Sequence, residues 1–167
     1  MKKNDRLFII AVLLCLVLSC AFAGVYKLDN ERTHIAEIGE NVIRSGDTFY
    51  YGCEDPVVEN GNLVITGWAA PRERDLTYID RHVLLENGGV FYEINTIAVE
   101  RGLTDFFDTG FTYDNGGIAA QCPVRSLKKQ TYSLYLLIRE ESGNSYLIDM
   151  QKEVNLGGMA QGKDLYE

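Results

Sequence analysis

The sequence predicts an all-β protein: an immunoglobulin-like antiparallel β-sandwich of about seven or eight strands, set behind one N-terminal hydrophobic helix. Three observations carry that expectation. Apolar and polar residues alternate with period two over several short runs between residues 48 and 150. Turn-forming clusters punctuate those runs at Asn60-Gly61-Asn62, at Asn87-Gly88-Gly89 and around Gly143. No helical periodicity of ordinary length follows residue 25. Strands with one wet face must bury the other, by pairing two sheets or by closing a barrel, and a small barrel is the runner-up.

The N-terminal segment has a basic head, Lys2, Lys3 and Arg6, and then an apolar run over residues 7–25. A cleaved signal peptide fits the basic start and the small pair Ala21 and Ala23 ahead of Gly24. An uncleaved signal-anchor fits the length of the run, which is close to what a bilayer requires. Val17-Leu18-Ser19-Cys20 resembles a bacterial lipobox, which makes Cys20 a candidate lipidation site. All three readings keep the positive head inside and place the remainder outside the cytoplasm.

Residues 26–45 read as a juxtamembrane linker or a first strand, centred on residues 34–38. The β-sandwich domain then spans 46–156, and 157–167, rich in glycine, reads as a flexible tail. Within the domain, residues 48–51, 63–70, 78–85, 90–99, 118–124, 132–139 and 145–150 are expected strands. The run 132–139 is the clearest, with Tyr132, Leu134, Leu136 and Ile138 on one face. Residues 103–107 read as a loop or a single helical turn.

The net charge is −8, and removal of residues 1–23 leaves 13 basic and 23 acidic residues, a balance of −10. Such a surface repels nucleic acid and anionic lipid, so no nucleic-acid partner is expected, and membrane contact is confined to the N-terminal segment.

Cys53 and Cys122 are candidates for a disulfide outside the cytoplasm, or for two separate buried thiols. No metal or cofactor is expected, because His34 and His82 lie far apart and no cysteine shares their spacing. A solvated acidic loop accounts for Asp105, Asp108 and Asp114 more simply than calcium does. The serines lack a G-x-S-x-G or S-x-x-K context, and nothing local favours a pair between His82 and either cysteine, so no catalytic residue is assigned. The aromatic content points elsewhere. Tyr50, Tyr51, Tyr78, Tyr92, Tyr113 and Tyr135 are candidate contacts to a sugar ring or a protein partner, while Trp68 is expected as a core or inter-sheet packing residue. The loop 101–115 and the turn 87–89 are the segments expected to carry binding.

The order of features over residues 60–150 resembles an uncharacterised β-sandwich accessory domain of Gram-positive cell-surface proteins, found beside enzymes of envelope-glycan synthesis. The residues that carry it are Ile65-Thr66-Gly67-Trp68-Ala69, then Leu84-Leu85 and Phe91-Tyr92. They continue with the loop from Val99 to Phe107, then Tyr113-Asp114-Asn115-Gly116-Gly117-Ile118, and Leu127 with Tyr132-Ser133-Leu134-Tyr135-Leu136. Gly102-Leu103 and Gln130-Thr131 depart from the pattern. The resemblance implies a noncatalytic envelope module without catalytic residues. The expectation is therefore an extracytoplasmic module, membrane-anchored or alternatively secreted or a lipoprotein, that contacts an envelope glycan or an envelope protein. A structural spacer and a small envelope hydrolase or transferase are the competing classes.

Overall fold

The structure is a computed structural model and describes residues 3–30, 33–77 and 79–158. The chain divides into two compact units, Met1–Arg32 and Thr33–Glu167.

The first unit is one helix, α1 (Lys3–Asn30). Leu, Ile, Val and Ala dominate it, and apolar side chains such as Ile10, Leu13, Val17, Leu18 and Phe22 point outward all round the axis. A helix that is apolar on every side suits lipid or a protein interior rather than water. Its stretch Ile9–Asp29 has 21 residues, which at 1.5 Å per residue covers about 30 Å, the hydrocarbon thickness of a bilayer. By length and composition it is long and apolar enough to cross a membrane, as an anchor or a signal sequence must be. The helix runs without interruption through Cys20 and through Ala21–Gly24.

The second unit is the expected sandwich of two antiparallel sheets, with ten strands among the described residues. In chain order these are β1 (His34–Ile35), β2 (Phe49–Cys53), β3 (Val57–Glu59), β4 (Asn62–Pro71), β5 (Ile79–Asn87), β6 (Val90–Glu93), β7 (Asn95–Val99), β8 (Gly117–Pro123), β9 (Thr131–Glu140) and β10 (Ser145–Asn155). The first sheet has the order β1-β6-β5-β9-β10; the second has β2-β4-β8-β7, with β3 also paired to β4. The two sheets do not close, which removes the barrel alternative.

Local sequence fixes the hairpins. Asn87 pairs with Val90 across Gly88 and Gly89, whose φ angles are 60° and 84°. Positive φ at both central residues is what a two-residue hairpin needs, and glycine supplies it without steric cost. Asn60 and Gly61, at φ 50° and 77°, turn β3 into β4.

Three elements differ from expectation. Residues 90–99 do not form one strand. The chain bends at Ile94, which is 2% exposed and donates its N–H to Val83 O at 3.2 Å, and β7 continues in the other sheet. The short β3, not expected, forms because the Asn60-Gly61 turn folds Val57–Glu59 back onto β4. Finally, β10 runs on to Asn155 through a bulge between Asp149 and Glu153, with Gln151 at φ 53°. The bulge reseats the strand so that Val154 and Leu156 are buried.

The core lies between the inner faces. Leu63 and Ile65 of β4, Ile118 and Ala120 of β8, Val83 and Leu85 of β5, and Tyr132, Leu134, Leu136 and Ile138 of β9 fill it. The residual gap lined by Ile65, Val83, Ile118 and Leu134 holds about 10 Å³, room for one water at most.

The outer face of the first sheet is covered. Leu84, Leu137 and Leu147 are at most 3% exposed although they point away from the core, and Ala36, Ile38, Val42, Phe91 and Tyr135 pack on them. The segment 33–43 accounts for this. Its start pairs with β6 through β1, and Ala36 N–H donates to Phe91 O at 2.8 Å. Its end reaches the opposite edge, where Ile43 N–H donates to Ser145 O at 2.8 Å and Leu147 N–H to Ile43 O at 2.9 Å. The expected linker is thus a strap laid across the sheet from edge to edge.

Candidate functional site

Among the described residues, no comparable strap covers the second sheet. On its outer face stand Tyr50 and Gly52 of β2, Val64, Thr66 and Trp68 of β4, Ala119 and Gln121 of β8, and Ile97 and Val99 of β7. These positions alternate with the buried inner set Leu63, Ile65, Ala69, Ile118 and Ala120. A short helix, α2 (Leu103–Phe107), packs on one end of the face and brings two further rings. Leu103 anchors it in a small cluster with Ala70 and Tyr113. Asp114 Oδ1 accepts from Thr104 N–H at 3.1 Å, and Thr104 Oγ1 accepts from Tyr113 N–H at 2.7 Å, which fastens both ends of the loop.

The rings converge on Phe107. It stacks on Tyr50 with centroids 4.6 Å apart and an interplanar angle of 20°, and meets Trp68 edge-on at 5.3 Å. Phe106 lies 5.0 Å from Phe107 and is 73% exposed. The Arg72 guanidinium sits 4.5 Å from the Tyr50 centroid, a cation–π contact at the rim. Gly52, opposite Trp68, leaves room for the indole, since a Cβ there would lie 2.8 Å from it.

A polar frame borders the rings. Arg101 donates to Glu54 Oε1 at 2.5 Å, and Thr66 Oγ1 donates to Glu54 Oε2 at 2.7 Å. The hydroxyl of Thr66 and the guanidinium of Arg101 hold the Glu54 carboxyl below its ordinary range. Beside it, Lys152 donates to Asp55 Oδ1 at 2.5 Å and likewise lowers that carboxyl.

Of the described tyrosines expected as contacts, Tyr50 alone joins this surface. Tyr113 is fully buried beneath it, because it forms the floor on which Phe107 and Tyr50 rest. Tyr51 and Tyr92 occupy inner-face positions and pack against the core, Tyr92 edge-on to Tyr132 at 6.0 Å. Tyr135 lies under the strap against Phe91. Tyr78 falls outside the described residues. Trp68 is corrected too: it stands on the outer face, since Ala69 takes the inward position. Phe106, Phe107, Arg101 and Glu54 were not singled out from sequence, although the loop 101–115 that carries three of them was.

The disulfide is also corrected. Cys53 faces Gly67 on one side of β4, while Cys122 faces Leu63 on the other. Two strand spacings sideways and four residues along the strand put them roughly 16 Å apart, far beyond the reach of a disulfide. Both are free thiols. Burial pushes them up, to about 11 for Cys53 and about 12 for Cys122, so neither offers a thiolate nucleophile at neutral pH.

His82 belongs to the outer face of the first sheet. Its ring nitrogens lie 2.7 Å from Asp80 Oδ2 and 2.6 Å from Glu93 Oε1, with Arg139 at 3.2 Å. It therefore serves an ion-pair cluster that ties β5 to β6 and β9, on the sheet opposite both cysteines. Among the described residues, no three His, Cys, Asp or Glu side chains gather to hold a metal.

The fold and face define a class: a small two-sheet β-sandwich behind an apolar N-terminal helix, with one strapped outer face and one bare, ring-bearing face. Protein-family models, curated proteins and solved structures show no match to this chain.

Proposed function

We propose that this chain is a noncatalytic extracytoplasmic module, anchored by α1, that contacts an envelope protein through the outer face of its second sheet. The observation that carries the reading is the cluster of exposed Phe106 with half-buried Phe107, Trp68 and Tyr50, framed by Arg72 and the Arg101–Glu54 pair. Rings surrounded by paired charge are the composition of protein contact centres. An envelope polymer is the second reading, and the ring geometry argues against it. Sugar stacking needs an open ring face, whereas Tyr50 already carries Phe107 and the Arg72 guanidinium.

The test is photo-crosslinking of the full chain in its own membrane, with p-benzoylphenylalanine at position 106 and, as control, at the exposed turn residue Glu141. A discrete protein adduct at 106 that is absent at 141 supports the reading. Adducts of equal pattern at both positions, or none, reject it. Labelling of Glu141→Cys in intact cells by a membrane-impermeant maleimide tests the placement, and protection from label rejects an extracytoplasmic domain. An intact mass of the mature chain separates retained anchor, cleavage at Ala23 and lipidation at Cys20.

A further inference from the structure

The sandwich has four sheet edges, and three are guarded. In the first sheet, β6 is covered by the two-residue β1, and β10 is bridged by Ile43 at Tyr146, then distorted by its bulge beside Lys152 and Glu153. In the second sheet, the edge beside β4 is split between β2 and β3. The break contains Glu54, Asp55 and Pro56, and proline cannot extend a ladder. Short strands, bulges, charges and proline are the devices by which proteins keep edges from pairing.

The fourth edge, β7, has none of them. Among the described residues it pairs only with β8, in unbroken register from Asn95↔Gln121 to Val99↔Gly117. Its sequence is Asn95-Thr96-Ile97-Ala98-Val99, without charge, proline or bulge. Ile97, at its centre, is 58% exposed on the outer face. The edge is also stiffly held. Thr96 Oγ1 accepts from Val83 N–H at 3.0 Å and donates to Ile94 O at 2.8 Å, which pins β7 to the first sheet. Half of its backbone N–H and C=O groups point away from β8 and offer a template for one more strand.

We propose that β7 pairs antiparallel with β7 of a second copy of this chain, joining the two second sheets into one continuous sheet. A strand added antiparallel to its own copy obeys a two-fold axis, so one surface serves both partners. With the axis at Ile97, the two Ile97 side chains meet on the outer face, and Asn95 stands opposite Val99 of the second copy. Electrostatics select this edge. At a net charge of −8 two copies repel in most orientations, whereas the five residues of β7 bring no charge against charge. The proposal uses the β7 edge rather than the Phe106 ring cluster and does not depend on that contact.

Cysteine crosslinking in the full chain, in membranes, tests the register. Two differently tagged copies are co-expressed with Ile97→Cys, or with Asn95→Cys in one and Val99→Cys in the other, beside the parental chain and a Glu141→Cys control. Circular dichroism confirms that each variant folds. Mild oxidation is expected to crosslink Ile97→Cys copies at least fivefold more than the control, and the Asn95/Val99 pair more than Asn95 with itself. Equal yields at 97 and 141, or equal yields for the 95/99 and 95/95 pairs, overturn the proposal. An adduct at 97 whose mass differs from twice the chain overturns it as well, and would assign the edge to a strand from another protein.

Discussion

Leu137 separates a strapped sheet from a wet one. It follows Leu136 on β9, so strict alternation puts it on the solvent side, yet it is 3% exposed beneath Ile38 and Val42. Leu137→Ala removes three carbons, about 2.4 kcal/mol of transfer at roughly 0.8 kcal/mol each, and the void left under the strap adds up to about 1 kcal/mol. The strap can settle partly into that void, so the expected loss is about 2–3 kcal/mol. On a solvent face the same change costs less than about 0.5 kcal/mol. Urea unfolding of residues 33–158, followed by the emission of Trp68, gives the number. A loss of this size lowers the midpoint by on the order of 1–2 M at an ordinary denaturant slope. Leu136→Ala, on the inner face and 1% exposed, is the internal control and should cost at least as much. A double-mutant cycle with Ile38→Ala should give a coupling above about 0.5 kcal/mol. A Leu137→Ala variant as stable as wild type, alongside a destabilised Leu136→Ala, would refute the strap.

Two other outcomes follow from the site. The Glu54 carboxyl is held below its ordinary value by Thr66 and Arg101, so its contribution is full at neutral pH and lost as pH falls through that lowered value. Glu54→Gln should therefore melt below wild type at pH 7, with the difference vanishing under acid; a difference that persists at pH 2 contradicts the assignment. As for the thiols, alkylation of residues 33–158 under denaturing, non-reducing conditions should add two labels, one each at Cys53 and Cys122. Native labelling at pH 8 should be slow, because burial raises both thiols. A mass without added label would mean a disulfide and would break the β2–β4–β8 register.

Much of this protein was legible in its sequence, for physical reasons that act locally. The apolar length of α1, the glycines that allow φ of 60° and 84° in the β5–β6 turn, and the alternation of Tyr132, Leu134, Leu136 and Ile138 each depend on near neighbours. Period two states that a strand has two faces. It does not state what lies on each, and the misplaced tyrosines and Trp68 trace to that. Tyr51 went inward and Trp68 outward according to the register between β2 and β4, and Tyr92 went inward opposite Leu85 across the β5–β6 hairpin. Tyr135 and Leu137 were covered by a strap whose own pattern is weak, because its ladder contacts are few and sit at its ends. The disulfide failed because β4 runs between the two cysteines. The ring cluster arose where α2 laid Phe107 on Tyr50, residues 57 positions apart in the chain. Sequence thus determined the elements, their turns and the class of fold. Tertiary structure decided which face each residue shows, since that depends on pairings between distant strands that no local window contains.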